Sequence, residues 1–295
     1  MNMKNPHSGE TLKEESFGGM DRKTFLKFLA ALPLAGMAQA ASGVEIVQDA
    51  HGAAINAKTG RKPKWGMAID LDLCSGCGAC VVACHVENNV PFCGDDPAKI
   101  GAEINWMSML PMGEGKEKTL APLPCMHCEN PPCVKVCPVN ATFQNEEGIV
   151  AQVWDRCIGC RYCQTACPYS RRYFNWTEPS FPGTYQQALN PDVATRPRGV
   201  VEKCTFCVHR IRTLRETVRA EDREITDEDV QFLPACAQSC PTEAIIFGDL
   251  NDPESLVSRL AESPRAQRLL EHLGTKPKVF FLGKERSIGL ERKGG

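Results

Sequence analysis

Residues 157–168 read Cys-Ile-Gly-Cys-Arg-Tyr-Cys-Gln-Thr-Ala-Cys-Pro, and no other stretch limits the fold of this chain as tightly. The spacing is C-x2-C-x2-C-x3-C-P, the ligand pattern of bacterial ferredoxins. Three thiolates on one tight loop cap three irons of a cubane. The fourth, carried off by a short helix that the proline ends, reaches a neighbouring cluster. One run therefore demands a partner, and the chain holds three more: Cys74, Cys77, Cys80 and Cys84; Cys125, Cys128, Cys133 and Cys137 before Pro138; and a split run of Cys204 and Cys207, then Cys236 and Cys240 before Pro241.

Sixteen of the 17 cysteines fall into these groups. Thiols so close along the chain cannot pair with one another without strain, which argues against a disulfide scaffold. Structural zinc takes two C-x2-C knuckles per ion and explains neither the triple spacing nor the prolines. Four [4Fe-4S] clusters with four thiolates each use all sixteen. Because the fourth cysteine of each run serves the partner cluster, four ligand sets are expected. They are Cys74, Cys77, Cys80 and Cys240; Cys84, Cys204, Cys207 and Cys236; Cys125, Cys128, Cys133 and Cys167; and Cys137, Cys157, Cys160 and Cys163. Cys93, the odd thiol, reads as a buried bystander.

Composition narrows the function classes. Lys and Arg (34) are matched by Asp and Glu (36) and form no long basic block, so nucleic acid is not an expected partner. There is no Gly-rich phosphate loop and no Ser/His/Asp arrangement. The reading is an electron-transfer subunit with no catalytic residues of its own; the alternatives are a stand-alone polyferredoxin or a small iron-sulfur reductase.

Residues 1–40 read as an export signal: the charged segment Asp21-Arg22-Lys23-Thr24-Phe25-Leu26-Lys27, an apolar stretch from Phe28 to Met37, and Ala38-Gln39-Ala40 as a small-x-small cleavage site. The string Arg22-Lys23-x-Phe25-Leu26-Lys27 resembles a twin-arginine signal with lysine in the second place, a route for folded proteins. The apolar stretch is shorter than the about 20 residues a spanning helix needs. The expected location is the periplasmic face of the cytoplasmic membrane. Residues 41–64 read as a lead-in arm.

The mature chain reads as α+β. Trp65 to Leu71 is a strand feeding the first run, where Gly76 and Gly78 let amides approach the cluster. His85, after the fourth cysteine of that run, is a structural or surface residue. Residues 85–122 are a hairpin insertion or a contact surface. Ala141 to Phe143 and Ile149 to Trp154 form a hairpin around Glu146-Glu147-Gly148. The second and third runs then make a central ferredoxin-like module (123–199). The first and fourth make a terminal module from 65–122 and 200–250, with the central one inserted. Val208 to Ala220 is an exposed helix, Asp222 to Asp229 a solvated acidic stretch, and Ala244 to Phe247 a strand. Within 251–295, Asp252-Pro253 and Ser263-Pro264 read as helix starts and Lys278 to Leu282 as a last strand.

Each oxidised cube with its thiolates carries about −2, so four add roughly −8. Lys203, Arg161, Arg171, Arg172, His209 and Arg210 lie beside ligand loops, either raising reduction potentials or facing solvent. Trp65, Trp154 and Trp176 read as packing that keeps water out.

From Trp65 to Asp249 the chain resembles the four-cluster electron-transfer subunits of molybdopterin-oxidoreductase complexes, the group with polysulfide, dimethyl sulfoxide, tetrathionate and formate-dependent nitrite reductases. The resemblance is carried by Pro124-Cys125-Met126-His127-Cys128-Glu129-Asn130-Pro131-Pro132-Cys133, Arg156-Cys157-Ile158-Gly159-Cys160-Arg161-Tyr162-Cys163 and Lys203-Cys204-Thr205-Phe206-Cys207. Tyr173-Phe174-Asn175-Trp176, Arg198 to Cys204 and Phe247 to Pro253 look most like subunits of menaquinone-linked assemblies: the menaquinone reductase complex, alternative complex III and the membrane complex of dissimilatory sulfite reduction. The resemblance implies a hetero-oligomer with a polytopic quinone-binding membrane subunit and a molybdopterin-type subunit, a multihaem cytochrome c, or both.

Overall fold

The computed structural model describes residues 62–91, 103–112, 119–181 and 183–283. The expected signal, all of the arm before Lys62, and Cys93 lie outside the described residues. Among the described residues no helix is long and apolar enough to cross a membrane.

A four-stranded sheet gathers segments far apart in sequence. Strand β1 (Trp65–Asp70) is buried along nearly its whole length and lies at the centre. On one side it pairs antiparallel with β8 (Ile245–Asp249), and on the other parallel with β10 (Val279–Leu282), which pairs with the short β9 (Ala266–Gln267). The run Val-Phe-Phe-Leu in β10 is buried on both faces, as a parallel strand requires. Gly66 is needed in β1 because a Cβ there would lie 2.4 Å from Leu250 Cδ1. Trp65, Met67, Ile69, Phe247 and Phe281 form a core continuous with Cys80, Cys84 and Cys236, so the ligand residues are part of the packing.

Short elements hold the cysteine loops. After β1 the first run continues into α1 (Ala79–Glu87). The expected hairpin insertion is β2 (Ser108–Met112) against β3 (Thr119–Leu123). The second run contains α2 (Pro132–Lys135), with proline at the first position. It is followed by the hairpin β4 (Thr142–Gln144) and β5 (Val150–Gln152). The third run contains α3 (Tyr162–Thr165), and β6 (Tyr173–Phe174) then pairs with β7 (Val201–Glu202). In the fourth run, α4 (Val208–Ala220) and α5 (Asp227–Val230) separate its two halves, and α6 (Ala235–Gln238) carries Cys236. Helix α6 packs on α1, and α7 (Leu256–Ala261) packs on β8.

Two local expectations are corrected and one, the acidic stretch that is exposed over most of its length, is extended. The acidic stretch is structural at its end: Thr226 and Asp229 form a capping box for α5, and Asp227 accepts from the Leu256 amide at 3.0 Å. Pro253 lies in a turn closed by the Asp252 carboxylate on the Glu254 amide, and α7 begins later, capped by Ser255. Ser263-Pro264 starts no helix. The Ser263 hydroxyl and carbonyl accept from Arg265 and Ala266 and turn the chain into β9.

Candidate metal centres

The four cysteine loops share one backbone device. Two residues after the first cysteine of each run the chain is left-handed: Gly76 (φ 70°), His127 (φ 40°), Gly159 (φ 67°) and Phe206 (φ 56°). This turns successive amides inward, toward sulfur. Glycine does it without strain in the first and third runs. In the second and fourth, the His127 and Phe206 rings stack on each other with centroids 3.7 Å apart, and Phe206 meets Phe247 edge-on at 5.3 Å. The left-handed residues of two loops far apart in sequence therefore clasp them together.

The loops gather the cysteines into four groups of four. Cys74, Cys77, Cys80 and Cys240 line a hollow of about 290 Å³. Cys137, Cys157, Cys160 and Cys163 line another of about 280 Å³. Burial raises the Cys84 thiol well above its ordinary range, and the charges of Cys204, Cys207 and Cys236 add to it. Burial likewise pushes Cys128 up to about 12, with Cys125, Cys133 and Cys167 contributing. Sulfurs so crowded and dry keep their protons unless metal replaces them, which is the environment a thiolate-ligated cluster needs. Among the described residues no three His, Cys, Asp or Glu side chains converge on a single-ion site.

The groups also have an order. Cys80 of the first group is felt at Cys84 and Cys236 of the second. Cys125 of the third is felt at Cys204 of the second, and Cys133 of the third at Cys163 of the fourth. Cys77 and Cys160, one in each outer group, are the exposed cysteines among the sixteen described; those of the second and third groups are buried or partly buried.

Comparison with known proteins agrees with this arrangement. A family model described as a 4Fe-4S dicluster domain matches residues 73–141 and 156–244, and a second of the same description matches 117–182. The menaquinone reductase iron-sulfur cluster-binding subunit of Nitratidesulfovibrio vulgaris is 50% identical over 234 residues, 77% of this chain and 91% of the relative. A selenate reductase subunit of Mesobacillus selenatarsenatis is 40% identical, over 74% of this chain and 72% of its own. The Hdr-like menaquinol oxidoreductase iron-sulfur subunit 1 of Archaeoglobus fulgidus is 38% identical, over 75% and 83%. The chain belongs to the four-cluster iron-sulfur electron-transfer subunits.

As a member of that family this iron-sulfur subunit carries four [4Fe-4S] clusters, and its hydrogen-bond donors are unevenly shared among the four groups. Three residues beyond the fourth cysteine, Asn140, Ser170 and Glu243 are again left-handed, each following a Cys-Pro. The loops they close aim Thr142 N at Cys137 Sγ (3.5 Å) and Ala244 N at Cys240 Sγ (3.3 Å). The first run has His85 instead of proline, so α1 continues for another turn. There the Asn88 amide takes over, donating to Cys84 Sγ at 3.7 Å and Cys207 Sγ at 3.6 Å. His85 itself is buried against Asn105 at 3.1 Å and serves structure.

Of the six cations singled out in the sequence, one donates to a cysteine sulfur and two more, Lys203 and Arg210, are felt at Cys204 and Cys207. Arg172, buried, donates to Cys133 Sγ at 3.3 Å and is felt at Cys163. Lys203, also buried, donates to the carbonyls of Val150 and Cys204. Beside it, burial and the Lys203 charge hold His127 neutral; its Nδ1 accepts from Val150 N, leaving Nε2–H for the Cys204 carbonyl at 3.1 Å. Arg171 is spent on Ser108 and Leu123 of the hairpin. His209 and Arg210 clamp Glu87, which burial pushes up and these two hold below the usual carboxylate range. Arg161 alone of the six lies at the surface, over Trp176 at 4.8 Å. Trp65 is buried and Trp154 packs at the core edge, as expected, but Trp176 is 49% exposed. Asn88 carries no signal in the cysteine pattern; the missing proline after Cys84 was the available clue.

Proposed function

We propose that this chain is the electron relay of a (mena)quinone-linked respiratory complex on the periplasmic face of the cytoplasmic membrane. It would link a redox partner to a quinone-binding membrane subunit. The grouping of the sixteen cysteines, three from one run with the fourth from its partner run, carries the reading. Cys74, Cys77, Cys80 and Cys240 hold the first cluster. Cys84, Cys204, Cys207 and Cys236 hold the second, Cys125, Cys128, Cys133 and Cys167 the third, and Cys137, Cys157, Cys160 and Cys163 the fourth. Each cluster supplies one-electron redox chemistry when bound. The residues do the rest: they hold the four sites in a row, exclude water from the middle pair, and leave one sulfur toward solvent at each end. Pairing of β1 with β8 and β10, across all that lies between, supports a terminal module with the central one inserted.

The names of the relatives, menaquinone reductase and menaquinol oxidoreductase among them, support a quinone-binding membrane partner. A molybdopterin-type subunit or a multihaem cytochrome c fits at the other end, and the signal-like residues 1–40 support export. To test this, the tagged chain is purified with its native assembly, and a menaquinol analogue is added anaerobically. The expected result is that menaquinol makes EPR signals of reduced clusters appear in the assembly and none in the isolated chain, with about sixteen irons per chain. Substrate turnover by the isolated chain would overturn the reading.

A further inference from the structure

Arg172 follows the third cysteine run, yet its side chain turns to a sulfur of the second. The residue is 2% exposed, and its guanidinium forks between two of the four groups. Nη2 donates to Cys133 Sγ at 3.3 Å, while Nη1 donates to Thr142 Oγ1 (3.1 Å) and Gln152 Oε1 (3.0 Å). Thr142 and Gln152 stand directly opposite each other across the β4–β5 hairpin and bond to one another. Both line the hollow of the fourth group, and Thr142 N also reaches Cys137 Sγ at 3.5 Å. One edge of the fork therefore rests on the wall of the fourth group, and the other faces a sulfur of the third. The two groups meet here: Cys133 and Cys163 pack with Val150 and Val201 in one buried cluster.

An arginine cannot shed its proton, so a buried one calls for an anion. Arg196 and Arg215 each meet a glutamate. The acceptors of Arg172 are instead a hydroxyl, an amide oxygen and a sulfur, so the anion in contact is the Cys133 thiolate with the cluster it ligates. No carboxylate among these partners cancels the charge. Three bonds from one planar fork also fix its orientation, which a flexible ammonium would not reproduce. Positive charge and hydrogen-bond donors beside cluster sulfurs favour the reduced, more negative state. The effect falls with distance, so it is largest where the contact is direct.

We infer that Arg172 is a positioning residue that raises the reduction potential of the cluster held by Cys125, Cys128, Cys133 and Cys167, and by a smaller step that of the cluster held by Cys137, Cys157, Cys160 and Cys163. This rests on the ligand sets proposed above. The test is an anaerobic EPR redox titration of the full, iron-loaded chain. The third cluster is identified as the signal lost in Cys128→Ser and the fourth as the signal lost in Cys160→Ser. In Arg172→Met the reduction equilibrium of the third cluster should fall about tenfold, a potential about 59 mV lower for one electron. The fourth should move the same way by less, and the first and second should stay. Arg172→Lys keeps the charge without the fork and should recover most of the loss, which a purely structural role would not allow. Full iron with an unmoved third signal in Arg172→Met, an equal fall in Arg172→Lys, or movement of the first or second signal instead overturns the inference. Should Arg172→Met lose iron, Arg172→Gln decides in the same way; iron lost from both would show a structural role and overturns it too. A wild-type chain without four clusters would instead sink the ligand sets themselves.

Discussion

Arg196 and Glu202 are both about 1% exposed and meet at 2.5 Å, a buried ion pair on the segment entering the fourth run. The guanidinium also donates to the carbonyls of Asn88 (2.7 Å) and Asn89 (2.8 Å) and lies over Trp106 at 4.8 Å, while Glu202 accepts from the Trp106 indole. Burial pushes the Glu202 carboxyl up, and the Arg196 charge opposes it. Arg196→Leu leaves a buried carboxylate and the carbonyls of Asn88, Asn89 and Ala194 without their guanidinium partner. It should destabilise the iron-loaded protein by about 3–5 kcal/mol, read by chemical denaturation; a change under about 1 kcal/mol would show the pair to be dispensable. Neither residue was legible as a pair, because its other partners lie far away along the chain. The cysteines were legible because their chemistry is written in local spacing. Lys203 and Arg172 were found as cations near ligand loops, but which of six candidates faced sulfur depended on tertiary packing.

The elements divide in the same way. Strands β1, β8 and β10, the β4–β5 hairpin and α4 follow from apolar runs, turn residues and period, and lie within a residue or two of where those signals put them, whereas residues 85–122 showed no clear period to fix β2 and β3. Capping and turn closure use the same residues, so Asp252 and Ser263 read as helix starts while the structure uses them for turns. Within the third run, Gly159 is held left-handed with the Gly199 carbonyl 2.2 Å from where its Cβ would stand. Gly159→Ala should break this loop alone. Iron should fall from about sixteen to about twelve per chain while the EPR signals of the other three clusters persist. Gly78→Ala, also left-handed but with nothing within 4 Å of the added carbon, serves as the control that retains its iron. Iron unchanged in Gly159→Ala would mean that the loop can move aside.

Across the whole molecule, burial of Cys80, Cys84, Cys128 and Cys236 in the main apolar core ties folding to the clusters. Removing iron with a chelator under reducing conditions should therefore abolish the far-UV signal of strands and helices together with the colour, and readdition of iron and sulfide should restore both. A colourless protein with native circular dichroism would show that the core stands without metal. The four-cluster count was legible from sixteen cysteines; their succession along the molecule was not, since it depends on how His127 and Phe206 bring the second and fourth runs together. Cys77 of the first group and Cys160 of the fourth are the water-facing sulfurs among the sixteen described. Left in air, such a subunit should corrode from these two sulfurs inward, since oxidant meets them first.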